Sequence, residues 1–113
     1  MNKKIEVIEA GYEYLLAYAA QGKETDQAGS GISEVRQTLT NMANAVLELI
    51  EIHNTVPVNF SWVLIDDANK AHAAIDLVLT QKSISSEIVD NLNASIHLRA
   101  LLTDLFLLSE AEN

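Results

Sequence analysis

Cysteine is absent from the 113 residues, which excludes disulfides, thiolate metal sites and cysteine nucleophiles and leaves packing alone to hold a fold together. Basic residues are scarce: 7 Lys and Arg stand against 16 Asp and Glu, for a formal net charge of -9. Binding to phosphate backbones or anionic headgroups depends on clustered cations, and here Lys3 and Lys4 are the one adjacent pair, so neither nucleic acid nor membrane is expected as a partner. No apolar run approaches the ~20 residues of a membrane helix, and the longest candidate is cut by Arg99 and Asp104. Met1-Asn2-Lys3-Lys4 looks like the start of a signal, but Glu6, Glu9 and Glu13 interrupt the apolar region that must follow, which predicts an untargeted, cytoplasmic protein. Proline occurs once, at Pro57, and the few glycines fall mostly where turns are expected.

What remains is apolar and periodic. Hydrophobic residues make up 49% of the chain, enough for one continuous core and a single domain over residues 1–113. Ile5, Ile8, Tyr12, Leu15 and Ala19 recur at steps of three and four and predict a helix over about 3–21, which Gly22 ends in a left-handed cap. Lys23 to Gly31 then reads as a polar, mobile loop. Ser30 can cap a second helix over about 31–54, where Ile32, Val35, Leu39, Met42, Val46, Leu49 and His53 keep heptad spacing and Asn41, Asn44, Glu48 and Glu51 face water. Thr55-Val56-Pro57-Val58 breaks it, because proline lacks an amide hydrogen and forces its predecessor into extended geometry.

A third helix over about 60–81 presents Ile65, Ala68, His72, Ile75 and Leu79 inward, with Asp66 and Asp67 placed near its positive end. Ser85 caps a fourth, over about 85–109, with Ile84 and Val89 spaced as a hydrophobic staple. The expected fold is all-α, a four-helix antiparallel (up-down) bundle. The fourth helix carries two stripes, one of Ile88, Leu92, Leu102 and Phe106 and one of Ala94, Leu98, Leu101, Leu105 and Leu108. That is more apolar surface than one core contact requires. Either the helix is central to a monomer, or Leu98, Leu101, Leu105 and Leu108 join Val7, Tyr14 and Tyr18 of the first helix in an interface, with a homodimer as the simplest way to bury both strips.

The histidines carry little chemistry as a group. If the second and third helices turn around Pro57, His53 is level with Ser61 and His72 lies far down the hairpin, an axial offset of roughly 16 Å at ~1.5 Å per residue, so one metal cannot join them. His72 is expected as a structural imidazole with Asp76 one turn on. Di-iron bundles need Glu-x-x-His, but Ile50, Asn69 and Ala94 stand three before the histidines. Glu48-Leu49-Ile50-Glu51 with Asp66, Asp67 and Asp76 echoes helical magnesium-dependent phosphohydrolases, without a second helically spaced acidic pair or a nearby cation for phosphate. His97-Leu98-Arg99-Ala100 superficially resembles the phosphoacceptor segment of histidine phosphotransfer domains. Ala100 replaces that family's lysine, and Leu101 fills the place of the small residue that makes room for the phosphoryl group.

Gly29-Ser30-Gly31 is too short for a phosphate loop, and Asn59-Phe60-Ser61 and Asn93-Ala94-Ser95 fit the glycosylation pattern without a secretory signal. Trp62 beside Phe60 is expected as a lid on the bundle end. No catalytic residue, metal or cofactor is therefore expected. The leading expectation is a non-enzymatic protein-protein interaction or regulatory module, of the adaptor, inhibitor or immunity-protein kind, that binds a protein partner or itself. A phosphorelay intermediate using His97 is the alternative. A small-molecule binder with a pocket near Trp62 or Tyr12 is the third.

Overall fold

The structure, a computed structural model, describes residues 2–27, 31–51 and 58–111. Ser30, His53 and the Pro57 turn lie outside these residues. The described residues form α1 (Asn2–Ala19), α2 (Glu34–Glu51), α3 (Val58–Leu79), α4 (Ser86–Ala94) and α5 (His97–Ala111), with no strand among them. None of these helices is long and apolar enough to cross a membrane. α1 packs against α2 and α4, α2 against α3, and α3 against α5, so the fold is an all-helical bundle around one core.

α2 follows its pattern most closely. Val35, Leu39, Met42, Val46 and Leu49 are all buried, while Asn41, Asn44, Glu48 and Glu51 are exposed. Ile32, expected on the same stripe, is 71% exposed because the helix begins two residues later. Ser33 stands as the cap, its Oγ accepting the Arg36 amide at 3.2 Å.

In α1 and α3 the buried line is rotated from the expected one. α1 buries Ile8, Gly11, Leu15 and Tyr18 and leaves Tyr12 half-buried; α3 buries Leu64, Ala68, Ala71, Ile75 and Val78 and leaves Ile65 and His72 on the flank. Gly11 explains part of the fit of α1 on α2: a Cβ there would overlap the Met42 side chain, so the missing side chain sets how closely the helices approach. Asp66 and Asp67 do not reach the positive end of α3, because that helix starts at Val58. Trp62 is no lid; it stands on the outer side of α3, 76% exposed.

The expected fourth helix is two helices. α4 starts as predicted, with the Ser85 Oγ accepting the Ile88 amide at 3.2 Å and both Ile84 and Val89 buried. It stops at Ser95, whose hydroxyl donates to the Leu92 carbonyl at 2.6 Å, and Ile96 takes the left-handed conformation at φ 62°. The reason lies in phase. Continuing α4 straight would carry the line of Val89 and Leu92 on to Ile96, Arg99 and Thr103, whereas the leucines that follow sit roughly 160° away on a helix of ~100° per residue. The break lets Val89 and Leu92 of α4 and the leucines of α5 face one core, while Ala94 and Phe106 of the expected stripes stay exposed. Leu98, Leu101, Leu105 and Leu108 are thus buried within the single chain, as is Tyr18, so these five interface candidates are core residues and supply no seam for a dimer. Treating two helices as one accounts for part of the surplus of apolar surface; Phe106 and Leu107 of α5 remain 47% and 58% exposed. Val7, 40% exposed, and the half-buried Tyr14 remain accessible in a shallow groove between α1 and α2.

Candidate functional site

Two regions gather polar chemistry. The first is the end of the bundle where the segment after α1 meets the connection between α3 and α4. Sequence alone predicts a mobile loop from Lys23, yet residues 23–27 are clasped to the far end of the chain. The Lys23 amide donates to Ser86 Oγ at 2.8 Å and the Ser86 amide to the Lys23 carbonyl at 2.8 Å. Ser86 Oγ donates on to the Tyr18 carbonyl at 2.6 Å, and the Tyr18 hydroxyl donates to the Ile84 carbonyl at 2.7 Å.

Asp26 is the centre of this clasp, with a side chain 1% exposed. It accepts the Ile84 amide at 2.8 Å and the Ser33 hydroxyl at 2.6 Å, and it pairs with the Arg36 guanidinium at 3.7 Å. Arg36 also donates to the Leu79 and Gln81 carbonyls at 2.9 and 2.8 Å, which satisfies the open end of α3. Burial pushes the Asp26 carboxyl up, but the Ile84 amide, the Ser33 hydroxyl and the Arg36 charge outweigh it and hold the group below the ordinary carboxylate range. Beside it lies a cleft of about 380 Å³ lined by Tyr14, Lys23, Asp26 and Glu34 among others. Burial, then the adjacent Glu34 carboxylate, push the Tyr14 phenol up to about 12, so it stays protonated. The Asp26 carboxylate is occupied by the Ile84 amide, the Ser33 hydroxyl and Arg36, so its contacts tie residues 23–27 to the start of α2 and to Ile84.

The second region is the groove between α1 and α4, about 360 Å³, with Tyr12, Leu16, Ala19 and Ala20 on one wall and Asp90, Asn93 and Ala94 on the other. Leu16 is 47% exposed, a large apolar side chain directed to water in mid-helix. Glu6, Glu9 and Glu13 follow at steps of three and four along α1, and Glu87 and Asp90 along α4, all five exposed. Residues 5–22 and 83–98 contain no Lys or Arg, and none of the five acids enters an ion pair among the described residues. The Asn93 amide nitrogen donates to the Leu15 carbonyl at 3.3 Å, which turns its Oδ1 away from that carbonyl into a buried position without a hydrogen-bond partner.

The histidines are dispersed. His72 Nδ1 lies 3.3 Å from Asp76 Oδ2, the partner expected one turn on. His97 is not in mid-helix but is the first residue of α5, half-buried behind the break. No set of three potential metal ligands comes together among the described residues. Trp62 lines a shallow depression with Ser61, Ile65, Asp66 and Asn69. Tyr12, Leu16, Asp90 and Asn93 were not assembled as a site from the sequence. The one signal was local, the absence of any cation through both segments that form the groove.

Comparison with protein-family models, curated proteins and solved structures finds no match.

Proposed function

We propose that this chain is a non-enzymatic protein-protein interaction module, a regulatory helical bundle that engages a protein partner through the outer face of α1 and α4. One observation carries the reading: residues 5–22 and 83–98 expose five carboxylates and contain no Lys or Arg, and the helices they form wall a groove that holds Asp90 and the half-exposed Leu16. Apolar anchors surrounded by charge of one sign suit recognition, with the anchors supplying affinity and the charge selecting the partner and speeding encounter. The scaffold reading is an antiparallel up-down bundle in which α4 and α5 share the fourth position. Its support is the pairing of Lys4 with Glu48, of Gly11 with Met42 and of Tyr14 with Glu34, in which residue numbers rise on α1 as they fall on α2.

The test is a photo-crosslinking amino acid at position 16, introduced in the cell that makes the protein. A discrete adduct with another protein is expected from position 16, none from position 44 on the outer face of α2, and a diminished one in Glu9→Gln/Glu13→Gln. No adduct at position 16, or equal adducts at 16 and 44, overturns the proposal.

A further inference from the structure

Resting on the interaction-module reading above, we propose that the α1/α4 groove receives a basic amphipathic helix of a partner protein. The groove is walled by two helices whose backbone groups are spent on their own hydrogen bonds, so it offers no edge to which an extended strand could add. A helix laid along the groove needs no such edge. Ala19 and Ala20 on the α1 wall and Ala94 on the α4 wall are small, which leaves room in the groove for large apolar side chains.

The charge pattern selects the occupant. Glu6, Glu9 and Glu13 span ~10 Å along α1 at the rise of a helix, and Glu87 and Asp90 stand one turn apart on α4. Lys or Arg at steps of three and four on a docked helix meets Asp90 in the groove and Glu13 and Glu9, which share the outer face of α1 with Leu16 at helical steps, while the apolar face of that helix covers Leu16. An anionic or neutral helix forfeits these pairings and adds repulsion. A simple cation satisfies the acids but leaves the apolar trough uncovered.

The probe is a fluorescein-labelled peptide of about 18 leucines and lysines patterned as an amphipathic helix. Its companions are a scrambled peptide of the same composition, a leucine and glutamate twin, and spermine as competitor. Saturable binding by fluorescence anisotropy is expected for the patterned basic peptide, at least about tenfold tighter than for the scrambled one, with none for the acidic twin and weak competition from spermine. Leu16→Gln, and independently Ala20→Gln, is expected to weaken binding about tenfold, and Glu9→Gln/Glu13→Gln about fivefold with a flatter salt dependence. Glu48→Gln/Glu51→Gln on α2 is expected to change it less than about twofold. Positions 16 and 20 are exposed, so thermal midpoints of these variants, read on the same samples, stay near that of the parent.

Equal binding of patterned and scrambled peptides, or indifference to both groove variants, reduces the effect to diffuse charge and overturns the proposal. Absence of binding to the patterned basic peptide overturns it as well. Either result alongside a crosslink at position 16 leaves the interaction module standing with a partner of other chemistry, whereas loss of that crosslink removes the module itself.

Discussion

Two aspartates with a buried carboxyl oxygen are treated in opposite ways by this bundle. Asp26, in the clasp, receives an amide from Ile84 and a hydroxyl and a guanidinium from the start of α2, and is held ionised. Asp104, on α5, faces the Asp67 carboxyl of α3, and no amide, hydroxyl or cation among the described residues donates to its buried Oδ2. Burial and then Asp67, by hydrogen bond and by repulsion, push its pKa up to about 7. The Lys70 ammonium, three residues on from Asp67, sits 2.9 Å from Asp66. Burial alone therefore does not decide the charge of a carboxyl; the donors brought to it do. One end of the molecule is fastened by a charge, and the α3/α5 contact is weakened by one.

The largest expected effect comes from breaking the fastened end. Asp26→Ala leaves Arg36, the Ile84 amide and the Ser33 hydroxyl without their acceptor, and chemical denaturation should show a loss of about 3 kcal/mol. Asp26→Asn keeps an acceptor for the Ile84 amide and should lose less.

The α3/α5 contact should respond with the opposite sign. The raised pKa of Asp104 means that the folded chain holds a proton which the unfolded chain releases above its ordinary pKa of 3.8. Its contribution is complete below that value and is lost as pH climbs towards 7. Asp104→Asn should therefore raise the thermal midpoint at pH 8, by an amount on the order of 1 kcal/mol once solvent screening is allowed for, and change little at pH 4. Asp26, lowered, gives stability that is present above pH 4 and disappears on acidification below it. A parent and an Asp104→Asn variant with parallel pH profiles would show that the two aspartates do not differ in this way.

The same arm of the molecule holds backbone strain. Ile96 is β-branched, left-handed and 62% exposed, so Ile96→Gly removes the steric conflict without opening the core, and the midpoint should rise by the equivalent of about 1 kcal/mol. Smallest is Ser83→Ala. It deletes the exposed 2.8 Å hydrogen bond to Thr25 at the edge of the clasp, and calorimetry should register a change within about 0.5 kcal/mol. A larger loss would mean that the clasp acts as one network and not through Asp26.

Local features were legible in the sequence because they are set by neighbours along the chain. The buried line of α2 from Val35 to Leu49, the Ser85 cap, the left-handed Gly22 and the His72 to Asp76 pairing all involve residues within a few turns of one another. The candidate groove was half legible. Its lack of cations can be read directly, but that Tyr12 and Leu16 face Asp90 and Asn93 follows from how α1 meets α4, which no local spacing encodes.

The sequence by itself determined an all-helical chain, because apolar side chains at the helical period must be buried on one side wherever they occur. Tertiary structure decided what those sides were for. It turned Tyr18 and the leucines of α5 into core, broke the last helix at Ile96 so that two out-of-phase stripes share one interior, and gave Asp26 and Asp104 partners tens of residues away. Periodicity is a property of a segment, whereas burial and charge state belong to the contacts that segments make with each other.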